Sequence, residues 1–176
     1  EMAQAFSRLG SNVTVVELAP KVLVKEDDDV IDFVNENFKK ENINILTNHK
    51  AVEVNGKNLI CEYNNEKVTL EFDEIFIALG RKANINGFGL DKLNIKIRGN
   101  GTIQANQFLQ TNYSNIYVCG DVTGPYQFTH SAAHQAWYAS VNALFSPIKK
   151  FKVDYSIIPW ATFTDPEIAR VGLNEQ

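Results

Sequence analysis

One segment, residues 115–122, constrains the fold of this chain more than any other. After its first residue, four apolar or aromatic side chains follow without interruption, and the segment then reaches Gly120 and Asp121. Such a run predicts a strand buried on both faces, as in a parallel sheet that helices cover. Gly120 has no Cβ, so its backbone can approach a ligand closely. We therefore expect Asp121 just past the carboxyl end of a strand, where open α/β sheets bind nucleotides.

A helix is predicted directly downstream, over residues 129–145, and Pro147 is expected to end it. Thr129 suits the N-cap position because a threonine hydroxyl can accept a hydrogen bond from a backbone N–H of the first turn. The positive end of this helix is expected to face whatever group Asp121 binds. A buried strand, a turn and a packed helix without a ligand would give the same pattern, and the residues alone leave both interpretations open.

Composition and charge narrow the class of protein. Of the 176 residues, 44% are hydrophobic and 22% are charged, so the chain can bury a core in one large domain or two small ones. The net charge of -4 argues against nucleic acid and anionic membranes as partners. No apolar run reaches the roughly 18 residues of a membrane-spanning helix, and no signal peptide is visible, so we expect a cytoplasmic protein.

The first residues resemble the second half of a βαβ unit. Apolar residues at helical spacing over 2–9 are followed by a turn at Gly10 and a β-branched strand over 13–17 that ends in Glu17. In a dinucleotide-binding unit, an acid at this position accepts both hydroxyls of the adenosine ribose. The glycine-rich loop that should precede the helix is not in the sequence, since Gly10 is the first glycine. A solvated acid at a strand end is the alternative interpretation.

The next residues alternate between predicted helix and strand. The acid run at 27–29 precedes apolar residues at helical spacing, which favours a helix with acids at its N-terminus. Residues 74–79 form a second apolar strand pattern that stops at a glycine, here Gly80. Between the predicted helix and residues 74–79, an Asn-Gly pair and an Asn-Asn pair predict two tight turns. Three short strands joined by these turns would form an antiparallel meander, which follows one earlier strand. The strands predicted in this part are 43–46, 51–54, 58–63 and 67–72.

The cysteines and histidines do not form a metal or catalytic motif. Cys61 and Cys119 are far apart, each within a strand pattern, so buried unreactive thiols are expected. His130 and His134 lie four residues apart on one helix face, as zinc ligands often do. The residues between them do not include the glutamate of a metalloprotease motif, so a packing role is favoured over a metal. His49 receives no role.

Both ends suggest an internal segment of a longer polypeptide. The helix at Glu1 has no N-cap residue before it, and residues 161–173 have the pattern of an element that is just beginning. We therefore expect a fragment of a longer polypeptide.

Four blocks of the sequence then indicate a family. Residues 1–17, 78–84, 116–121 and 163–173 resemble, in this order, successive parts of the flavin-dependent pyridine nucleotide–disulfide oxidoreductases. This family includes dihydrolipoamide dehydrogenase, glutathione reductase and mercuric reductase. The family usually has proline where this chain has Ala83. Four blocks in order across nearly the whole chain are a specific signal, and the segments around residues 127–130 and 159–163 look closest to the mercuric-reductase-like and dihydrolipoamide-dehydrogenase-like members.

The resemblance implies an α/β fold in three parts. Residues 1–80 would be a partial Rossmann-type NAD domain with an antiparallel β-meander, 81–152 the C-terminal half of an FAD domain, and 153–176 the start of an α+β dimerisation domain. The implied cofactors are FAD and NAD. The implied NAD contacts are Glu17, Gly80 and Arg81, and the implied FAD contacts are Gly120, Asp121, Phe128, Thr129, His130 and Ser131.

The implied reaction moves a hydride from NADH to FAD, and electrons then pass to a cysteine pair. That pair would lie upstream of Glu1 and a His-Glu pair beyond Gln176, so this chain would hold no catalytic residue and no metal, and would be inactive by itself. The implied partners are a small-molecule or disulfide substrate and a second copy of the full-length protein. Two alternatives stay open: an NADH oxidase or ferredoxin reductase-type flavoprotein without a cysteine pair, and a non-catalytic nucleotide-binding module.

Overall fold

The computed structural model describes residues 1–174 and divides into two compact units. The first unit holds Glu1–Ile77 together with the residues from Pro159 onward, and the second unit holds Ala78–Ile158. Helices and strands both occur, which confirms the mixed α/β class. The domain boundaries expected after residues 80 and 152 stay predictions. Glu175 and Gln176, the last residues of the predicted segment 153–176, lie outside the described part of the chain.

A parallel pair of strands organises the first unit. β1 (Thr14–Val16) and β2 (Asn44–Leu46) pair in parallel, with Val15 opposite Ile45. The helix between these strands buries Val34 and Phe38 against the pair. Burying such a side chain stabilises the fold by about 1.5–3 kcal/mol. The helical spacing of the apolar residues predicts this helix, and Ile31 of the predicted face is buried with these two, while Phe33 is 47% exposed. The elements in chain order are α1 (Met2–Arg8), β1 (Thr14–Val16), α2 (Asp28–Lys40) and β2 (Asn44–Leu46).

The predicted antiparallel meander is present in the first unit. β3 (Lys50–Asn55), β4 (Asn58–Tyr63) and β5 (Glu66–Glu71) form a three-stranded sheet in that order. Asn64 and Asn65 have φ angles of +51° and +65°, as the two central residues of a type I′ hairpin require. The first hairpin turns at Gly56 and Lys57, one residue later than the Asn-Gly pair indicated, because Asn55 still pairs with Asn58.

A short hairpin completes the first unit. β6 (Pro159–Thr162) and β7 (Ile168–Val171) pair antiparallel, with Ala161 opposite Ala169. The loop between them is fastened to α1 by Gln4, which is only 4% exposed. The Gln4 Nε2 donates to the Asp165 carbonyl oxygen at 2.8 Å, and its Oε1 accepts the Asp165 N–H at 2.7 Å.

The buried face of α1 therefore differs from what its apolar residues suggest. Met2, Phe6 and Leu9 follow the helical spacing but stay exposed, Leu9 to 81%. Gln4 is buried instead, because its amide satisfies two backbone groups of the β6–β7 loop that would otherwise lack partners.

The predicted strand over residues 74–79 is wrong for this structure. The segment is irregular, and its apolar side chains are open to solvent, with Ile77 at 71% and Leu79 at 88% exposure. A strand needs a neighbour to receive its backbone hydrogen bonds, and none of the residues from 1 to 174 pairs with this segment. The apolar composition of the segment favoured a strand, but composition does not show whether a neighbouring strand is present to pair with it.

The second unit is mostly irregular and is built around one helix, α3 (Thr129–Phe145). Its bounds agree with the prediction. Residues 115–118 do not form the predicted doubly buried strand: a single antiparallel bridge joins Tyr117 to Gln110, and Val118 alone of this run is buried. Val118 packs with Ile95 and Ile103 in a small core. This run thus leads into Gly120 as predicted, but within residues 1–174 it belongs to no sheet.

Candidate functional site

The loop 120–124, named here the glycine–aspartate loop, carries the most informative residues. Gly120 has φ +82°, a conformation that residues with a side chain rarely adopt. A Cβ built on Gly120 would lie 3.5 Å from the Ala132 Cβ, an ordinary contact, so the backbone angle rather than crowding requires glycine. The N–H groups of Thr123 and Gly124 both donate to the Gly120 carbonyl oxygen, at 3.0 and 3.2 Å, and close the loop.

Arg98 and Thr123 fix one side of the glycine–aspartate loop. The Arg98 Nη1 donates to the carbonyl oxygens of Thr123 at 2.7 Å and Ile103 at 3.0 Å. The Thr123 hydroxyl, itself buried, donates to the same Ile103 carbonyl at 3.0 Å. The loop is therefore anchored to the 95–103 segment by charge-assisted and neutral hydrogen bonds.

Gln135 of α3 fixes the other side of the glycine–aspartate loop. Its side chain is fully buried, and its Oε1 accepts the Gly120 N–H at 2.5 Å. Its Nε2 donates to the Gly124 carbonyl at 2.7 Å and to the Tyr155 hydroxyl at 2.9 Å. Sequence reasoning missed Gln135. Its spacing from Ser131 and Ala139, four residues either way on one helix face, was the signal that could have found it.

Asp121 lies at the exposed edge of the loop. Its side chain is 41% exposed, and its Oδ2 is 3.3 Å from the Arg81 Nη1. The same Arg81 nitrogen donates to the Gln127 carbonyl at 3.1 Å. The structure thus brings two of the predicted site residues together, while Gly80 beside Arg81 is exposed with φ +92°. An exposed pair of this kind contributes little to stability, so the Asp121 carboxylate can exchange its partner.

The start of α3 follows the loop, with one correction to its N-cap. Thr129 is the first helical residue, and Phe128 holds the N-cap position without a side-chain hydrogen bond, so the predicted threonine cap is wrong. The reason is that the backbone turns into the helix one residue earlier: the Ala132 N–H already bonds the Phe128 carbonyl at 2.9 Å. The rings of Phe128 and His130 stack, with centroids 5.2 Å apart.

The four predicted residues at this helix start differ in exposure. Thr129 and His130 are exposed and Phe128 is half-buried. Ser131 is fully buried, and its hydroxyl has no hydrogen-bond partner within residues 1–174. The first three can meet a ligand directly, while Ser131 lies on the packed face of the helix.

Glu17 lies in the first unit, just past the end of β1. Its Oε1 accepts the Ala19 N–H at 2.8 Å, which fixes the turn after the strand. The backbone N–H of His49 donates to the Glu17 carbonyl oxygen at 3.0 Å. The His49 ring, which received no role from the sequence, stacks on Tyr63 with centroids 4.4 Å apart and planes 7° from parallel. Glu17 therefore holds the strand-end position that the βαβ pattern predicts.

The two cysteines are free and differ in environment. Cys61 on β4 is buried, and this burial raises the pKa of its thiol, which keeps it protonated and unreactive. Cys119 is only half-buried, so the prediction of two buried thiols is correct for Cys61 alone. Of the two histidines four residues apart on α3, His134 forms a hydrogen bond between its Nε2 and the Asp154 carbonyl oxygen at 3.1 Å. Within residues 1–174, no group of three potential metal ligands comes together.

Fold and site together are typical of α/β dinucleotide-binding proteins. In the first unit, an acid follows the first strand of a parallel pair. In the second unit, the glycine–aspartate loop precedes the N-terminus of a long helix. A family model described as pyridine nucleotide-disulphide oxidoreductase matches residues 1–136, and the chain belongs to this family.

Individual relatives agree with this membership. The chain is 33% identical over 180 residues to the mercuric reductase of Staphylococcus aureus, and 38% identical over 181 residues to the dihydrolipoyl dehydrogenase of Buchnera aphidicola. Both matches cover 100% of this chain but only 32% and 37% of those proteins. The chain therefore spans about a third of the length of these curated relatives.

Solved structures give the same result. The HOCl-induced flavoprotein disulfide reductase RclA from Escherichia coli superposes with a TM-score of 0.84 at 26% identity. This match covers 99% of this chain and 40% of that one. LpdA from Mycobacterium tuberculosis gives a TM-score of 0.86 at 27% identity, over 98% of this chain and 38% of that one. Separately, across the described residues no helix has the length and apolar character needed to cross a membrane.

Proposed function

We propose that this chain supplies parts of the FAD and NADH sites of an FAD-dependent oxidoreductase that reduces a disulfide or mercuric ion. The observation that carries the proposal is the glycine–aspartate loop, held on both sides and followed directly by the start of α3, in a member of this family. The relatives named mercuric reductase and dihydrolipoyl dehydrogenase each match the whole chain, which supports mercuric ion and a dithiol–disulfide couple as the two substrate classes.

The glycine–aspartate loop has the chemistry to hold FAD. Asp121 presents a half-exposed carboxylate that would accept hydrogen bonds from the hydroxyls of the ribityl chain. Gly120 would let the backbone approach the cofactor. Bound FAD would supply the two-electron chemistry, which the protein's own side chains cannot perform.

The start of α3 would stabilise negative charge on the flavin. A helix N-terminus carries about half a unit of positive charge and N–H groups without partners inside the helix. Phe128, Thr129 and His130 are at least partly exposed there and would contact the cofactor. Ser131, buried behind them, would support this end of the helix rather than touch the ring.

We assign NADH contacts to two stretches of the chain, each considered by itself. Glu17 would accept the hydroxyls of the adenosine ribose and so favour NADH over NADPH. Gly80 would place backbone close to the nicotinamide, and Arg81 would line the same stretch. In this proposal residues 1–80, 81–152 and 153–176 belong to the NAD, FAD and dimerisation domains, and the reacting cysteine pair and a His-Glu pair come from other parts of the protein. The working protein would be a cytoplasmic homodimer.

Anaerobic titration of the full-length protein tests this function. We expect the purified protein to carry flavin, NADH to bleach the flavin absorbance, and a small disulfide or Hg²⁺ to restore it. Bleaching that oxygen or a one-electron acceptor reverses, while disulfide and Hg²⁺ do not, would instead support a flavoprotein without a cysteine pair. A purified protein without flavin, even after addition of FAD, would contradict the proposal.

A further inference from the structure

We propose that Gln135 is a positioning residue of the FAD site: its buried carboxamide holds the glycine–aspartate loop in the conformation that presents Asp121. This inference rests on the proposed function, because it assigns the loop to FAD. Gln135 touches the loop backbone rather than the cofactor, so it acts through Asp121.

One side chain bridges both ends of the loop. The Gln135 Oε1 accepts the Gly120 N–H at 2.5 Å, directly before Asp121, and its Nε2 donates to the Gly124 carbonyl at 2.7 Å. A carboxamide is suited to this task because the same planar group both accepts and donates. A carboxylate offers no donor, and an apolar side chain offers neither.

The loop depends on such a contact because it begins and ends with glycine. Gly120 has φ +82° and Gly124 has φ +66°, and glycine lets the backbone adopt many other conformations at little cost. External hydrogen bonds must therefore select the observed one. Arg98 secures Thr123 from the other side, but no contact of Arg98 reaches Gly120 among those of the described residues.

Gln135 also ties the loop to the helix whose N-terminus would face the same cofactor. Gln135 lies in α3, so its bonds fix the position of Asp121 relative to the helix start at Thr129. Tyr155 holds the amide in turn, because its hydroxyl accepts the second Nε2 hydrogen at 2.9 Å. Burial raises the pKa of Tyr155, so this hydroxyl stays neutral. Without the amide, carboxylate and helix N-terminus would no longer have a fixed spacing.

The chain offers a matched control in Asn142. It lies about two turns further along α3 and is also fully buried. Its amide also bonds loop backbone: Nδ2 donates to the carbonyls of Phe108 at 3.1 Å and Phe151 at 2.8 Å, and Oδ1 accepts the Phe151 N–H at 2.8 Å. None of these bonds involves the glycine–aspartate loop. Loss of either amide should therefore cost similar stability, and only loss of Gln135 should affect FAD.

The test compares Gln135→Met with Asn142→Leu in the full-length protein. Both substitutions replace a buried amide by an apolar side chain of similar shape. We measure the unfolding temperature of the apoprotein, the dissociation constant of FAD from flavin fluorescence, and the visible circular dichroism of the bound flavin. We expect both variants to unfold at similarly lowered temperatures. Gln135→Met should raise the FAD dissociation constant about tenfold or more and change the flavin dichroism, while Asn142→Leu changes the constant less than about twofold.

A second variant covers the case that Gln135→Met does not fold. Gln135→Glu keeps an acceptor for the Gly120 N–H but has no donor for Gly124, and it should weaken FAD binding at least about threefold. Equal weakening by the Gln135 and Asn142 variants, or unchanged FAD binding in the Gln135 variants, would reduce Gln135 to a stabilising residue and leave the proposed function intact. A wild-type protein that binds no FAD would overturn the proposed function and this inference with it.

Discussion

Glu17 is the residue that, in the proposed enzyme, would decide which nucleotide is used. One carboxylate oxygen accepts the Ala19 N–H at 2.8 Å, so the side chain is oriented at the end of β1. The carboxylate would accept the ribose hydroxyls of NADH and repel the 2′-phosphate of NADPH. Replacing two good hydrogen bonds by repulsion costs a few kcal/mol, so we expect kcat/KM to favour NADH by roughly two to three orders of magnitude.

Steady-state kinetics of the full-length enzyme with each nucleotide measure this preference. Glu17→Gln should lower the ratio of kcat/KM for NADH to kcat/KM for NADPH. The neutral amide no longer repels the 2′-phosphate of NADPH, while it still forms part of the hydrogen bonding to the ribose. Glu53→Gln, an exposed acid on β3, serves as the control and should leave the preference unchanged. Equal or better use of NADPH by the wild type would remove Glu17 from the nucleotide site.

Single residues also mark the limit of prediction from sequence. The turn at Gly120 and Asp121 could be predicted because a glycine after an apolar run favours a turn, while a ligand contact of Asp121 stays a prediction. Gln4, Gln135 and Asn142 could not, since a polar side chain ordinarily indicates the surface. Each is buried because loop backbone groups need partners, and the position of those groups depends on the tertiary structure.

At the scale of elements, local signals predicted well and long-range pairing did not. The meander and α3 could be predicted because turn residues and helical spacing act over a few neighbours. Residues 74–79 and 115–118 have the composition of buried strands, yet neither forms one in the described structure. A strand is a property of a pair of segments, and the sequence of one segment does not contain its partner.

Three elements of the first unit meet at Arg8, and this cluster predicts a pH dependence. Arg8 on α1 donates to both carboxylate oxygens of Glu41, the C-cap of α2, at 2.7 and 3.0 Å, and to the Asp165 Oδ2 at 2.8 Å. The hydrogen bonds from Arg8 hold the pKa of Glu41 below its ordinary value of 4.5. A lowered pKa in the folded state means that the stabilisation is complete above the unfolded value and is lost as the pH falls through the folded one.

Urea unfolding between pH 7 and pH 3 tests this cluster. Glu41→Gln should lower the urea midpoint modestly at pH 7, because the cluster is partly exposed and screened, and should lower it less at pH 3. The control is Glu36→Gln, an exposed acid on α2, which should leave the midpoint unchanged. A Glu41→Gln effect that is the same at both pH values would show that the pairing with Arg8 does not stabilise the fold.

At the scale of the whole molecule, the family could be predicted from the sequence, but the substrate could not. Four short blocks in a fixed order identify the family, and the match over residues 1–136 confirms it. The relatives that match include both mercuric reductases and dihydrolipoyl dehydrogenases at similar identity, so this chain does not distinguish these two kinds of relative.

The 176-residue chain by itself should bind neither nucleotide well. It contains the acid at Glu17 and the loop at Gly120, but no glycine precedes Gly10, so the glycine-rich turn that holds a pyrophosphate is not part of this sequence. Phosphate contacts anchor a dinucleotide, and we expect millimolar binding at best, about 4 kcal/mol. Isothermal titration with FAD and with NADH measures this, and micromolar affinity for either would show that the site is complete within these residues.

The central claim, that the glycine–aspartate loop holds FAD, is tested most directly by flavin retention in Asp121→Ala. A charge-assisted hydrogen bond contributes about 1.5–3 kcal/mol, so the FAD dissociation constant of the full-length variant should rise roughly ten- to hundredfold. Its flavin-to-protein absorbance ratio after gel filtration at low concentration should fall accordingly. Asp91→Ala, an exposed acid of the same unit outside the loop, should keep its flavin. An unchanged ratio and an unchanged dissociation constant in Asp121→Ala would contradict the claim.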